Sequence, residues 1–428
     1  MGRGMLRKMI AVAAFGLLLS VPMVFASGSS ESSSKQTEVV HFLFRAGNRV
    51  DLFQKLTDAF NKSQNEVRVD LVDSTGAEDL TTRIASGNYP DLTTQINGRE
   101  LWPYVKAGLL MNIKNEEFLK KIRPSELAAS TFEGGVYALP MDTQTWGIFY
   151  NKTLFSKAGI SEPPKTVSAL FSDVQKLKSA GIIPFAAGFA TPWTIGQYFD
   201  YGASSVLTPA AQANFDNYVK GDFSYESVPG MANVMKVFDL IVNNTQPKPL
   251  DADISASYST FASAQAAMLV QGNWSILQIR ELNPNLDMGM FPVPFTDNAN
   301  DVRFPTQYGF VINFFKSTKV MDGIRKYIDF YLNQNGPAGF YYDQIGIPSS
   351  NMTAKVKLDP ASDLLEQYMS ANKTVEAYHM LLPAGYEQEI FTLSSAYIAN
   401  HRGDHAWMES QLDAQLKKFS NLQQTQTK

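Results

Sequence analysis

The sequence contains no cysteine. Disulfides, thiolate metal sites, cysteine nucleophiles and the acylated cysteine of a bacterial lipoprotein are therefore all excluded. Histidine is scarce, with four in 428 residues, and only His401 and His405 have a spacing that a helix could present to a metal. Gly403 between them, with no H-E-x-x-H glutamate and no third ligand, argues for a polar helix end instead. No G-x-S-x-G, P-loop or G-x-G-x-x-G pattern is present, and no spacing singles out a carboxylate pair for glycoside hydrolysis. Neither a catalytic centre, a cofactor nor a metal is expected.

Long apolar runs are also missing. The run from Met9 to Leu19 falls well short of the ~20 residues that span a bilayer. It follows Arg3, Arg7 and Lys8 and precedes Val24-Phe25-Ala26, so residues 1–26 read as a secretory signal peptide. A cleaved leader without a lipoprotein cysteine points to the periplasm. Without the leader's three cations the chain carries 34 basic against 41 acidic residues, a net charge of −7, which makes nucleic acid and anionic membrane poor partner candidates. Residues 27–37, SGSSESSSKQT, form a low-complexity linker.

The remainder, in a chain 44% hydrophobic and 18% charged, is ordinary globular material, long enough for two lobes. Val39–Ala46 and Val67–Val72 read as strands around a helix over Asp51–Phe60, which puts Leu52, Leu56, Ala59 and Phe60 on one face. A helix near Glu78–Ser86, a strand over Asp91–Ile96 and a helix near Glu100–Ala107 continue an alternation that predicts a largely parallel sheet covered by helices. From Gly134 a turn and strand lead into Thr145–Asn151, a plausible crossing between lobes. Helices are expected over Val167–Ala180, Ala210–Val219, Gly230–Asn243 and Asp322–Asn333, with a strand at Ile182–Ala186. Pro292, Pro294 and Pro305 mark a second crossing, with a strand returning over Tyr308–Asn313. The C-terminal part reads as helical to about Phe419. The stretch that organises the chain is Ala264–Leu277: a buried strand, Ala266–Val270, ends at Gly272, which turns the backbone so that Asn273 and Trp274 are displayed at the strand's end, where open α/β sheets bind ligands.

Several ordered blocks carry a resemblance. They are Ser86-Gly87-Asn88-Tyr89-Pro90-Asp91, Val105 to Leu110, Leu139-Pro140 with Thr145 to Lys152, Lys157-Ala158-Gly159-Ile160 with Pro163 to Thr166, Ala267-Met268 with Gly272-Asn273-Trp274, and Tyr308-Gly309-Phe310. Spanning most of residues 39–350, this set resembles the extracellular (family 1) sugar-binding proteins of ABC transporters, the group that includes maltose-binding protein. The resemblance implies an α/β, two-lobed periplasmic-binding-protein-like (type II) fold, each lobe a mixed sheet flanked by helices, with a hinge between them. Residues 38–143 and 304–350 would make the N-terminal lobe, 144–303 and 351–420 the C-terminal lobe, and 421–428 a loose tail. It also implies a monomer that binds a mono- or oligosaccharide in the cleft and delivers it to the permease subunits.

The chemistry of a sugar, apolar C–H faces edged by hydroxyls, calls for aromatic platforms and short polar groups. Trp274 is the leading platform, because the family stacks a tryptophan after this turn; Trp193 is the second. Polar candidates lie at strand ends: Arg45, Asn48 and Arg49 after the first strand, Gln95, Asn97 and Arg99 after the third, and Asn273 beside Trp274. Asp142, Gln144 and Trp146 lie on the crossing, with Gln307 and Tyr308 on the return. Gln95 replaces a stacking tryptophan of maltose-binding protein, and Gln144 a glutamate, which argues against assuming maltose. Alternatives are a polyol, polyamine or metal cargo on the same fold, or a secreted carbohydrate-active enzyme. Tyr341-Tyr342 resembles the tyrosine pairs of ferric-ion binders, yet it reads better as a packed helix end.

Overall fold

The computed structural model describes residues 36–73, 77–96, 101–202, 204–207, 224–333, 335–377 and 385–426. The expected leader, linker up to residue 35 and helix 210–219 lie outside them. Thirteen strands are present among the described residues: β1 (Thr37–Leu43), β2 (Val67–Asp73), β3 (Leu92–Thr94), β4 (Thr131–Phe132), β5 (Gly135–Val136), β6 (Leu139–Pro140), β7 (Thr143–Asn151), β8 (Ile183–Ala186), β9 (Ala266–Gly272), β10 (Met288–Phe291), β11 (Phe304–Tyr308), β12 (Val311–Phe314) and β13 (Thr374–Glu376).

The first sheet has the order β2-β1-β3-β12-β6. Its β1, β2 and β3 are parallel, as the β-α-β pattern predicts, whereas β12 runs antiparallel to both β3 and β6, so the sheet is mixed. Helix Val50–Ser63 connects β1 to β2 and buries Leu52, Phe53, Leu56 and Phe60 at helical spacing. The second sheet has the order β13-β11-β7-β9-β8, with β10 also paired to β7. Around it, side chains that accept from exposed helix-end amides fix where helices begin: Asn151 caps Lys152–Lys157, Thr166 caps Val167–Ser179 and Asp253 caps Ile254–Ala262. The C-terminal helix, His405–Gln426, runs further than the expected end near Phe419.

Buried apolar side chains form two clusters, one on each face of the sheets, and both run through both sheets. Strand alternation divides them: Phe42 goes to one, Val39 and Leu43 to the other, and likewise Ile148 and Phe149 separate. The result is a two-lobed α/β fold.

What the sequence presents as single strands at the crossings is in each case two. β6 pairs with β12 in the first sheet, while β7 pairs with β11 in the second. Both chains therefore change sheet within two residues, at Met141-Asp142 and at Gly309-Phe310. A third crossing lies alongside, with Thr143 N–H donating to Pro348 O (2.9 Å) and Ser350 N–H to Met141 O (3.1 Å). Glycine is needed at 309, because a Cβ there would run into the Asp142 carboxylate and the Gln144 side chain.

His41, on β1, is fully buried against Phe53 and Tyr327. Burial pushes its pKa down to about 3, so the folded protein holds it neutral. The unfolded chain takes up the proton near the ordinary value of 6.5. Below pH 6.5 the unfolded state thus binds more protons, and stability is lost progressively as pH falls toward 3. A His41→Gln variant is expected to show a shallower acid limb in urea melts taken across that window.

Candidate ligand-binding site

The site is built around the end of β9. Gly272 is its last residue, paired with Trp146 of β7; the chain then tightens into a 3-10 turn, Asn273–Ser275. The Trp274 ring folds back over Gly272, where any Cβ would collide with it. Its Nε1–H donates to Gln271 Oε1 (3.1 Å), fixing the indole's rotation. Trp193 lies 6.4 Å from Trp274, tilted by 55°, and Tyr201 5.7 Å away at 45°. Trp146 stacks on Tyr201 (6.3 Å, 15°) and meets Tyr198 edge-on (5.3 Å). Trp193 and Trp274 keep part of their surface open, whereas Trp146, Tyr198 and Tyr201 are buried beneath. Two amphipathic rings on a rigid aromatic base suit contact with a C–H face. Tyr198 and Tyr201 were not among the expected site residues; the aromatic density of Phe189–Tyr201 was their only signal in the sequence.

Several expected ligand contacts are instead occupied by the protein. Asp142 and Arg49 are both buried and form an ion pair with each other. The Arg49 guanidinium also sits 4.7 Å over the Phe310 ring, and Asp142 Oδ1 accepts from Phe310 N–H (3.3 Å). Burial works against the Arg49 charge, but Asp142 and Tyr341 together outweigh it and hold the pKa above the ordinary value. Asn273 is buried too: its Oδ1 accepts from Thr145 N–H (3.1 Å) and its Nδ2 donates to Thr143 O (3.2 Å). Trp146 has no exposed surface, so it supports the rings above it.

Gln144 and Gln307 face each other across β7 and β11, Gln307 Nε2 donating to Gln144 Oε1 (3.3 Å). Gln307 Oε1 and Gln95 Oε1 are buried without a partner, so each retains acceptor capacity. Gln95 and Arg45, at the ends of the neighbouring strands β3 and β1, both hold left-handed backbone (φ +63° and +53°), a strain that side chains at functional sites often carry. Asn48 falls in the short turn Gly47–Arg49 and Tyr308 ends β11. Asn97 and Arg99 lie outside the described residues.

Also at the crossing, Thr143, Thr306, Gln307, Arg123 and Glu126 line a cavity of about 640 Å³ together with Glu366, Met369, Thr374 and Glu376. Glu126 is buried, accepting from the Thr143 and Ser350 hydroxyls. Burial raises its pKa, against the pull of those hydroxyls and of Arg123. The cavity has no aromatic lining. Among the described residues no group of three His, Asp or Glu could hold a metal. His401 stacks on Trp407 (3.8 Å) while His405 pairs with Asp239 (2.7 Å). Tyr341 and Tyr342 pack against each other and Tyr331 in the core.

Two α/β lobes joined by three adjacent crossings, with open indoles at a strand end, define a solute-binding protein of the two-lobed class. The description "Bacterial extracellular solute-binding protein" matches residues 46–336, and the chain belongs to that family. It is 24% identical over 341 residues to a multiple sugar-binding protein of Streptococcus mutans, covering 77% of this chain and 80% of that one. It is 25% identical over 416 residues to the maltodextrin-binding protein MdxE of Bacillus subtilis, covering 91% and 93%. Among solved structures, the solute-binding protein RafE in complex with raffinose superposes with a TM-score of 0.78 at 20% identity, covering 90% of this chain and all of that one.

Proposed function

We propose that this protein is the periplasmic receptor of an ABC importer, binding a mono- or oligosaccharide between its lobes and handing it to the membrane permease. The observation that carries the cargo is the pair of partly open indoles, Trp193 and Trp274, on a buried aromatic base. Sugar-binding relatives support the same cargo. Stacking on these rings, with hydroxyls bonded by Gln144 and Gln95, suits a sugar better than the aromatic-free cavity at the crossing does. We keep Asn48, Asn97, Arg99 and Tyr308 as further candidate contacts to the sugar. The lobes meet at the sheet changes at residues 141–142 and 309–310, and a ligand touching both lobes favours the closed state because it gains contacts only there. Export through a cleaved leader and action as a monomer complete the proposal.

Thermal denaturation in the presence of a sugar library tests it. A bound sugar at about 100 times its Kd should add roughly 2.7 kcal/mol of stability and raise Tm visibly. Silence for every carbohydrate beside a clear shift for a polyamine or metal ion would reject the cargo.

A further inference from the structure

The amide of Asn273 does more than fill a buried space. On the side of β7 that faces β9, backbone pairing stops at Trp146 with Gly272. The next two backbone groups of β7 that need partners on that edge, Thr145 N–H and Thr143 O, are met by Asn273 Oδ1 and Nδ2. A carboxamide has the donor and acceptor of a peptide group, so this side chain extends the β9 ladder while its own backbone leaves the sheet and carries Trp274 over Gly272. Thr143 and Thr145 lie immediately after the sheet change at Met141-Asp142, and Thr145 Oγ1 also donates to Pro305 O of the return strand (2.7 Å). The residue next to the indole platform therefore grips the crossing strand at the hinge.

We propose that Asn273 is a positioning residue that couples occupancy of the Trp274 platform to movement of the hinge. The inference rests on the sugar-binding reading. Sugar on Trp274 loads the 3-10 turn, and the two amide bonds transmit that load to Thr143 and Thr145, the first residues of β7. Without them the platform still stacks on sugar but is uncoupled from closure.

Asn273→Ala and the wild type are titrated with raffinose, stachyose and maltotriose, following indole fluorescence and the radius of gyration by small-angle X-ray scattering. In the wild type, sugar changes the fluorescence and contracts the molecule. In Asn273→Ala the fluorescence change persists at saturation, with its midpoint raised at least tenfold, and the contraction is largely lost. A midpoint within twofold of wild type with full contraction overturns the coupling, even where Tm has fallen, because a merely structural brace lowers stability without altering contraction at saturation. Should the alanine variant fail to fold, Asn273→Asp carries the test: it keeps the acceptor for Thr145 N–H, loses the donor to Thr143 O, and is expected to give a partial loss of contraction. A wild type that answers neither these three sugars nor any other carbohydrate of the library removes both the sugar reading and this coupling; a responsive wild type with an unaltered variant removes the coupling alone.

Discussion

Trp274→Ala is expected to weaken sugar binding by at least about 30-fold, the ~2 kcal/mol typical of a central aromatic contact, while moving the Tm of the unliganded protein little. The indole is only partly buried: it packs over Gly272 and toward Trp193 and Tyr201, and donates a hydrogen bond to Gln271. Its open surface is where C–H groups of a sugar would lie, so truncation is expected to remove more from the complex than from the free protein. Tyr201→Ala is the contrasting control. Tyr201 is 8% exposed and stacked on Trp146, so its loss leaves a void and lowers apo stability by a few kcal/mol, in the range of large-to-small core changes (about 3–5 kcal/mol). Calorimetric titration beside urea denaturation of both variants separates the two roles. An intact Kd with a collapsed apo stability for Trp274→Ala would mean that the indole is a core plug.

Removing Asp142 is expected to cost about 3–5 kcal/mol of folding stability, the usual penalty for stranding a buried charge. Arg49 is 3% exposed and Asp142 fully enclosed, so the guanidinium left behind has neither water nor a counter-charge. An asparagine oxygen can still accept from the Phe310 amide at the sheet change, so what Asp142→Asn removes is the charge. Asp142→Asn therefore lowers the urea midpoint strongly, and pairing it with Arg49→Met recovers part of the loss, because the double variant strands no charge. A single variant that unfolds like wild type but no longer binds sugar would make Asp142 a ligand contact.

The parallel β-α-β half of the first lobe was legible in the sequence because its helices and strands repeat with different periods, and Leu52, Leu56 and Phe60 mark the helix face that the structure buries. The sheet changes were not. The stretches around them both read as crossings between lobes, but the strand expected over Tyr308–Asn313 runs straight through the change at residues 309–310, and nothing local records which two residues leave one sheet for another. The same limit governed the site. Trp274, after the Gly-Asn turn, and Trp193, after Thr191-Pro192, could be chosen because the family resemblance places ligand-stacking aromatics there, whereas Asp142, Arg49 and Asn273 looked like ligand groups by type and position. Only tertiary geometry shows that Asp142 and Arg49 neutralise each other and that the Asn273 amide is spent on Thr143 and Thr145. A polar residue near a strand end is chemically the same object whether it faces a solute or a neighbouring chain; its partner decides.

The contact of the Trp274 ring with the bare α-carbon of Gly272 also constrains the order in which the two positions can diverge. While the indole is in place, every side chain at 272 is rejected. Once the indole is lost, position 272 becomes free to acquire a methyl group, and that methyl then bars the indole from returning. The pair works as an evolutionary ratchet: descendants that abandon this platform and fill position 272 cannot regain it by a single substitution, and must bind their solute with a different surface.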